Sequence, residues 1–329
     1  GLANNSIKIV IGTHAIIEGP VQFAELQFVV IDEQHRFGVE QRAELRNKGT
    51  NPHLLVMTAT PIPRSLALTL YGDLDLSIMD EMPAGRQPVN TFVLRPQERE
   101  RAFTLLRGQL EDDKQAFIIY PLIEESEKID ARAAVDDYET LSKEVFPNRK
   151  LGLLHGKMRP AEKDETMLKF RDKEYDILVS TTVVEVGVDV PNATVMLIEG
   201  ADRFGLAQLH QLRGRVGRGS DQSYCLLIPT HEDKAENERL QAMAESNDGF
   251  LLAEKDLEIR GPGEFLGTRQ SGYASSLRMA SITDVKLIEQ ARIQAQSVFD
   301  KDPDLSQSDH ALLAETLGRF WGEGKGDVS

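Results

Sequence analysis

Residues 27–35 read Gln27-Phe28-Val29-Val30-Ile31-Asp32-Glu33-Gln34-His35 and join an apolar run rich in β-branched residues to a pair of carboxylates. Such a run is typical of a strand that is buried on both faces in a parallel sheet. Open α/β sheets bind their ligands beyond the carboxyl ends of these strands, which is where Asp32 and Glu33 lie. The segment therefore predicts an α/β protein with a ligand site at this strand end.

The same strand pattern recurs along the chain in two groups. Before residue 60 there are three candidate strands, Ile7–Ile11, Phe28–Ile31 and Leu54–Met57, which are too few for a complete doubly wound sheet. After residue 88, helical patterns of crossover length separate successive strands, which predicts a parallel sheet with flanking helices. The strands of this second group are Val89–Leu94, Ala116–Tyr120, Lys150–His155, Asp176–Ser180, Thr194–Ile198 and Ser223–Ile228, and the helices are Glu98–Leu110, Ala131–Val145 and Ala161–Phe170.

Composition shifts predict the domain boundaries. Met82-Pro83-Ala84-Gly85-Arg86-Gln87-Pro88 has the proline and glycine content of a linker. After Pro229 the chain becomes helical and polar, with predicted helices at Lys234–Ser246, Asp284–Phe299 and Asp309–Phe320 around a glycine-dense loop at residues 260–272. We expect a partial α/β lobe at 1–82, a linker at 83–88, a complete α/β lobe at 89–230 and a helical extension at 231–329.

Composition narrows the class of protein. The chain has 329 residues, of which 40% are hydrophobic and 28% charged, as in ordinary soluble globular proteins. It has one cysteine, Cys225, so no disulfide forms within the chain, and a reducing cytoplasmic location is expected. The sequence has no apolar run of about 20 residues, which argues against a membrane role. The net charge of −15 argues against nucleic-acid binding over the whole surface but leaves room for a local basic track.

A cluster of arginines lies far from the acid pair in sequence. Gln211-Leu212-Arg213-Gly214-Arg215-Val216-Gly217-Arg218 places three guanidiniums within six residues. Guanidiniums stay charged and grip two phosphate oxygens at once, so a phosphate chain is a natural counterpart. The alternative is a solvated basic helix face, which most arginine clusters are.

The acid pair has a matching interpretation. Asp32 suits a hydrated Mg²⁺, which takes one or two carboxylates plus phosphate oxygens and waters. Glu33 suits a base that orients and deprotonates an attacking water. The alternative is an ordinary strand-end turn. The order of strand, acid pair, Thr58-Ala59-Thr60 and arginine cluster on one chain favours the functional interpretation.

Five segments together resemble the motifs of superfamily 2 helicases, and the resemblance extends over nearly the whole chain. Within that superfamily, less specific features, such as the glutamine in Asp-Glu-Gln-His, resemble those of the branched-DNA helicases. The transcription-repair coupling translocases remain an alternative. The segments are Ile11-Gly12-Thr13-His14, residues 32–38 (Asp-Glu-Gln-His-Arg-Phe-Gly), residues 57–64 (Met-Thr-Ala-Thr-Pro-Ile-Pro-Arg), residues 180–191 (Ser-Thr-Thr-Val-Val-Glu-Val-Gly-Val-Asp-Val-Pro) and residues 204–218.

The resemblance implies RecA-like lobes, an activity and a set of residue roles. It implies ATP as substrate, Mg²⁺ as cofactor, and an enzyme that remodels branched DNA, such as stalled forks and Holliday junctions, in repair and recombination. The implied catalytic residues are Asp32, which would also bind the metal, Glu33, Gln211, Arg215 and Arg218, and those at the nucleotide are Gln34, His35, Gly187 and Asp189. The residues that would contact the sugar-phosphate backbone are Thr13, His155, Gly156, Thr181 and Thr182. Those that would couple the nucleotide state to DNA movement are Thr58, Thr60, Arg260, Arg269 and Gln270.

One departure from the helicase pattern has a functional consequence. No G-x-x-x-x-G-K-[ST] loop exists in the chain, and the nearest segment, residues 152–158, has three residues between its glycines and no Ser or Thr after the lysine. We therefore expect a motor fragment that works as a monomer with upstream domains of the same parent chain and hydrolyses ATP negligibly by itself. Two rivals remain: a non-catalytic nucleic-acid-binding fragment, and a metal-dependent nuclease using Asp32, Glu33 and His35.

Overall fold

The computed structural model describes residues 1–33, 44–45, 47–59, 75–79, 81–82, 85–121, 135–181, 189–260 and 285–322. The chain forms two compact units, residues 1–61 with 293–329, and residues 62–292. The domain boundaries expected at residues 82, 88 and 230 stay a prediction. In the parts of the chain given above, no helix is both long and apolar enough to cross a lipid bilayer.

The first unit contains two parallel strands, β1 (Phe28–Ile31) and β2 (His53–Val56). The burial of β1 alternates, with Val29 and Ile31 inside and Phe28 and Val30 exposed. The prediction that this strand is buried on both faces is therefore wrong. The inward pair packs with Ile17 and Leu45 in a small apolar core. Burying each such side chain contributes roughly 1.5–3 kcal/mol, so one face of this sheet holds the unit together.

The predicted strand Ile7–Ile11 is wrong. These residues have no strand conformation, and Ile9 and Ile11 are 80% and 94% exposed. A strand needs a neighbour for its backbone groups, and no described strand pairs with this segment. The apolar pattern alone therefore misled the prediction.

The second unit contains a six-stranded sheet in the order β3-β8-β7-β4-β6-β5, with every neighbouring pair parallel. All six strands were predicted, with ends that differ by one residue or not at all. Parallel pairing brings the carboxyl ends of the strands to one edge, where α/β proteins place their ligands. The bounds are β3 Val89–Val93, β4 Gln115–Tyr120, β5 Leu151–Leu154, β6 Ile177–Thr181, β7 Ala193–Glu199 and β8 Ser223–Ile228.

Seven α-helices have described bounds. They are α1 Arg99–Glu111, α2 Pro160–Arg171, α3 Leu206–Arg213, α4 Glu238–Glu245, α5 Gly249–Arg260, α6 Val285–Lys301 and α7 Ala311–Gly322. Residues 135–140 are also helical and continue into a π turn at Leu141–Val145, within the helix predicted to begin at Ala131. Helices α6 and α7 lie within two residues of the predicted ends.

Two apolar layers sandwich the six-stranded sheet. Alternate residues of β4 point to opposite layers, with Phe117 in one and Ile118 in the other, and both are nearly inaccessible to solvent. Helices α2 and α3 contribute to the Phe117 layer and α1 to the Ile118 layer. This two-sided burial explains why the central strands β4 and β7 are mainly apolar runs.

The region after β8 differs from the prediction in two places. The helix predicted at Lys234–Ser246 begins only at Glu238, because the Asn237 side chain caps it by accepting the Arg239 amide at 2.9 Å. Helix α5 was not predicted, although Asp248 accepts the Phe250 amide at 2.8 Å and is the kind of residue that starts a helix.

Candidate functional site

The acid pair lies at the carboxyl edge of the first unit's sheet. Asp32 directly follows β1, and its Oδ1 accepts the Glu33 backbone N–H at 2.8 Å. Glu33 has φ of 53°, a left-handed conformation that side chains other than glycine seldom adopt. Ile31 pairs with Val56, so Thr58 comes from the neighbouring strand end. The structure thus brings Asp32, Glu33 and Thr58 to one edge of the sheet, and their roles stay a prediction.

The donors at this edge fit a loosely held metal rather than a protein cage. Asp32 is exposed and engages one carboxylate oxygen with backbone, which leaves the other for a ligand. The described residues contain no group of three or more His, Cys, Asp or Glu side chains that could hold a metal ion. A hydrated Mg²⁺ with one carboxylate and phosphate oxygens matches this donor set.

Several predicted site residues lie outside the described part of the chain. Thr13 is described and exposed, immediately before the 3₁₀ turn His14–Ile16. Arg260 ends α5, and nothing is said of its side chain. The predicted residues outside the described ranges are Gln34, His35, Thr60, Thr182, Gly187, Arg269 and Gln270.

The arginine cluster forms a tight loop after α3, which we call the arginine loop (residues 214–218). The Arg215 amide donates to the Leu212 carbonyl at 3.0 Å, and the Val216 amide donates to the Arg213 carbonyl at 3.2 Å. The Val216 side chain is fully buried, and Gly217 has a left-handed φ of 71°. Consecutive turns around a buried anchor fix the direction of this loop.

Arg218 faces Asp189 on the segment before β7. The Arg218 Nη1 donates to Asp189 Oδ1 at 3.2 Å, and its Nε donates to the Gly214 carbonyl at 3.2 Å. Both side chains keep solvent access, 30% for Arg218 and 56% for Asp189. Two residues predicted to face the nucleotide therefore lie together. Gln211, in α3, and Arg215, in the arginine loop, are half-buried.

Arg213 has a different role from the other two arginines. It is 3% exposed, and its Nη1 donates to the carbonyls of Met243 and Ser246 at 2.8 Å each. Burial lowers the pKa of Arg213, yet a guanidinium stays charged in proteins. The sequence did not separate Arg213 from its neighbours, because its partners lie 30 and 33 residues away. Arg213 therefore ties α3 to the carboxyl end of α4.

His210 lies beside this buried guanidinium. The Arg213 Nη2 lies 3.1 Å from His210 Nδ1, which must accept because arginine only donates. Burial, together with the nearby Arg213 charge, lowers the pKa of His210 to about 4. The imidazole is therefore neutral at pH 7, with its proton on Nε2.

His155 and Thr181 form a second feature, at the carboxyl edge of β5 and β6. Leu154 pairs with Ser180, so the two residues that follow are neighbours across the strands. Within the described ranges, two buried polar atoms lack a hydrogen-bond partner here, His155 Nδ1 and Thr181 Oγ1. A buried polar atom without a partner costs about 1–3 kcal/mol, so this pair is a strong indication of a ligand position.

The surroundings of His155 are basic. Burial and the nearby Lys157 and Lys163 charges lower the pKa of His155, so the ring is neutral at pH 7. Gly156 is exposed, and a Cβ placed on it would meet no atom within 4 Å. The predicted backbone-binding residues His155, Gly156 and Thr181 thus lie together beside two lysines and open space.

Comparison with protein families matches three models along the chain. They are the DEAD/DEAH box helicase over residues 2–69, the helicase conserved C-terminal domain over 98–220, and the C-terminal part of domain 3 of the ATP-dependent DNA helicase RecG over 246–321. The middle model covers most of the six-stranded sheet and confirms the predicted helicase-type α/β fold.

Curated relatives cover almost the whole chain. ATP-dependent DNA helicase RecG of Synechocystis sp. is 53% identical over 92% of this chain, that of Thermotoga maritima 53% over 91%, and that of Bacillus subtilis 49% over 96%. The chain spans 37%, 38% and 46% of these relatives.

A solved structure of RecG bound to a three-way DNA junction superposes with a TM-score of 0.68 at 50% identity, covering 88% of this chain and 37% of that one. The chain belongs to the RecG family of DNA helicases.

Proposed function

We propose that this chain is the part of an ATP-driven DNA helicase that handles the DNA backbone and responds to the nucleotide, acting on branched DNA in repair and recombination. The names of its relatives support ATP dependence, and the junction-bound structure supports branched DNA as the substrate. The observation that carries the proposal is the pair of buried, unpartnered atoms His155 Nδ1 and Thr181 Oγ1 at adjacent strand ends.

A sugar-phosphate backbone suits this pair. The neutral imidazole and the hydroxyl can each donate to a phosphate oxygen, and Gly156 lets the strand approach closely. Lys157 and Lys163 supply positive charge near His155. A local basic patch of this kind lets a chain with net charge −15 bind DNA at one place.

Two sets of residues act on the nucleotide in this proposal. Asp32 would hold Mg²⁺, which would neutralise phosphate charge, and Glu33 would orient the attacking water and accept its proton. Arg215 and Arg218 stabilise charge on the transferring phosphoryl group, with Asp189 keeping Arg218 in place. Support comes from the 3.2 Å contact between Arg218 and Asp189.

ATP hydrolysis by these 329 residues alone is expected to be negligible. The chain has no phosphate-binding loop of the form G-x-x-x-x-G-K-[ST], whose backbone amides and lysine hold the β- and γ-phosphates. DNA-stimulated hydrolysis by the isolated chain at the rate of a complete helicase would contradict this part of the proposal.

The rival functions have weaker support. The three curated relatives and the domain 3 model are of the RecG type, which disfavours a transcription-repair coupling motor. A metal-dependent nuclease needs further carboxylates near Asp32, and the described residues provide no such group.

The DNA site is tested by fluorescence anisotropy with a labelled three-way junction at low salt. Thr181→Val keeps the volume and removes the hydroxyl, and we expect about tenfold weaker binding, the effect of one hydrogen bond to a charged group. Thr194→Val is the matched control, because Thr194 is a buried threonine near the amino end of β7 that bonds Gln109. Equal affinities for Thr181→Val and wild type would overturn the site.

A further inference from the structure

The connector that precedes β3 is bonded to the arginine loop. Arg86, in the predicted linker, donates from Nε to the Gly217 carbonyl at 2.9 Å, across 131 positions of sequence. Arg86 is half-buried, so water competes only partly for this bond. Gly217 lies between Arg215 and Arg218 in sequence, so the bond acts on the loop that carries both.

Two further contacts hold the same short segment. The Gln222 Nε2 donates to the Pro88 carbonyl at 2.9 Å. Val89 pairs with Ser223 at the start of β3 and β8. Residues 86, 88 and 89 are therefore each fixed to a segment that begins at Gly217.

Gly217 packs directly against the first residue of β3. A Cβ on Gly217 would lie 2.8 Å from Val89 Cγ2, closer than real Cβ atoms approach their neighbours. Its φ of 71° also requires glycine. The backbone of the arginine loop can approach the connector this closely only because residue 217 has no side chain.

Gly85 precedes this segment. It has a left-handed φ of 83°, and a Cβ on it would meet nothing within 4 Å. The side chain of the next residue, Arg86, reaches the arginine loop.

We propose that Arg86 is a positioning residue for the arginine loop: by holding the Gly217 carbonyl it makes residues 86–89 and 214–218 move as one body. This inference rests on the proposed function only in assigning Arg215 and Arg218 to the triphosphate. The Arg86 hydrogen bond adds to the contacts of Pro88 and Val89 in holding the loop that carries those two arginines.

The bond is tested first without any nucleotide, by amide hydrogen exchange of residues 214–219 in the 329-residue chain. Arg86→Met removes the donor, and we expect about tenfold faster exchange of this segment, in line with the loss of one hydrogen bond. Arg86→Lys keeps a donor and should restore at least half of the protection. Arg95→Met is the control, because Arg95 is an exposed arginine of the same unit paired with Glu232. Unchanged exchange in Arg86→Met, or an equal increase in Arg95→Met, would overturn the proposal.

The functional consequence is tested in a longer RecG-family chain that contains these residues and a phosphate-binding loop. Arg86→Met should lower kcat for DNA-stimulated ATP hydrolysis about tenfold and leave KM for ATP within about twofold, because the loop and not nucleotide binding is disturbed. A rise in KM with unchanged kcat would contradict the positioning role. If Arg218→Gln has normal kcat, the proposed function fails, whereas the exchange result still decides whether Arg86 holds the loop.

Discussion

The Arg218 guanidinium lies 3.2 Å from the Asp189 carboxylate, and both side chains remain open to solvent. Exposed pairs of this kind stabilise a fold by about 0–1 kcal/mol, because water screens the charges. The contact therefore does little for stability and mainly sets the direction of the guanidinium.

Substitutions of Arg213 and Arg218 should lower the free energy of unfolding by different amounts. We expect Arg213→Met to lower the free energy of unfolding by about 2–4 kcal/mol, because the Met243 and Ser246 carbonyls lose their donor. Arg218→Met should cost less than about 1 kcal/mol. Urea unfolding of both variants at pH 7.5 measures the difference. Equal losses would mean that the assignment of a structural role to Arg213 is wrong.

His210 should make stability depend on pH. Its folded-state pKa of about 4 lies below the ordinary 6.5, so the unfolded chain binds the proton first as pH falls. Stability is therefore full above pH 6.5 and declines down to about pH 4, by on the order of 3 kcal/mol from this residue. His210→Gln keeps an acceptor for Arg213 and should lose that part of the decline.

The matched control for this pH dependence is His231→Gln, since His231 is exposed. Denaturant unfolding at a series of pH values between 7.5 and 4.5 compares both variants with wild type. An unchanged slope in His210→Gln would contradict the buried, neutral state of His210.

Cys225 should be unreactive toward thiol reagents in the folded chain. Its side chain is fully buried in β8, and burial raises the pKa of the thiol to about 12, so the reactive thiolate is nearly absent at pH 8. We expect labelling with a thiol reagent only after unfolding, with a rate at least about a hundredfold slower in native conditions. Rapid native labelling would show that the β8 layer is not packed as described.

The salt dependence of DNA binding should distinguish charge from hydrogen bonding at the second unit's strand ends. Lys157→Gln should reduce the slope of log affinity against log salt by about 0.7–0.9, the effect of one phosphate contact. Thr181→Val should weaken binding and leave the slope unchanged, because a hydroxyl releases no counterion. Anisotropy titrations at several salt concentrations give both quantities. If Lys157→Gln leaves the slope of log affinity against log salt unchanged, Lys157 does not contact a DNA phosphate.

The sequence predicted the six-stranded sheet well for a physical reason. Strands buried on both faces must be continuous apolar runs, so β4 and β7 can each be predicted from their own residues without knowing the neighbouring strand. The same rule failed at Ile7–Ile11, where an apolar run has no paired neighbour and is exposed. The apolar pattern of a segment shows which side chains a strand could bury. Whether the strand forms depends on a neighbouring strand that pairs with its backbone.

The site was predictable in part. The resemblance named His155 and Thr181 one by one, but their adjacency comes from the pairing of β5 with β6, which are joined through α2. The structural role of Arg213 could not be predicted, because its side chain bonds to carbonyls that lie 30 and 33 positions later in the sequence. The tie between Arg86 and Gly217 was hidden for the same reason.

The most direct test of the central claim is DNA-stimulated ATP hydrolysis by a longer RecG-family chain carrying Arg218→Gln. We expect kcat to fall about a thousandfold, the contribution of a phosphoryl-facing arginine, with nucleotide affinity nearly unchanged. Arg171→Gln, an exposed arginine paired with Asp172, should leave kcat intact. A normal kcat for Arg218→Gln would contradict the claim that the arginine loop acts on the triphosphate.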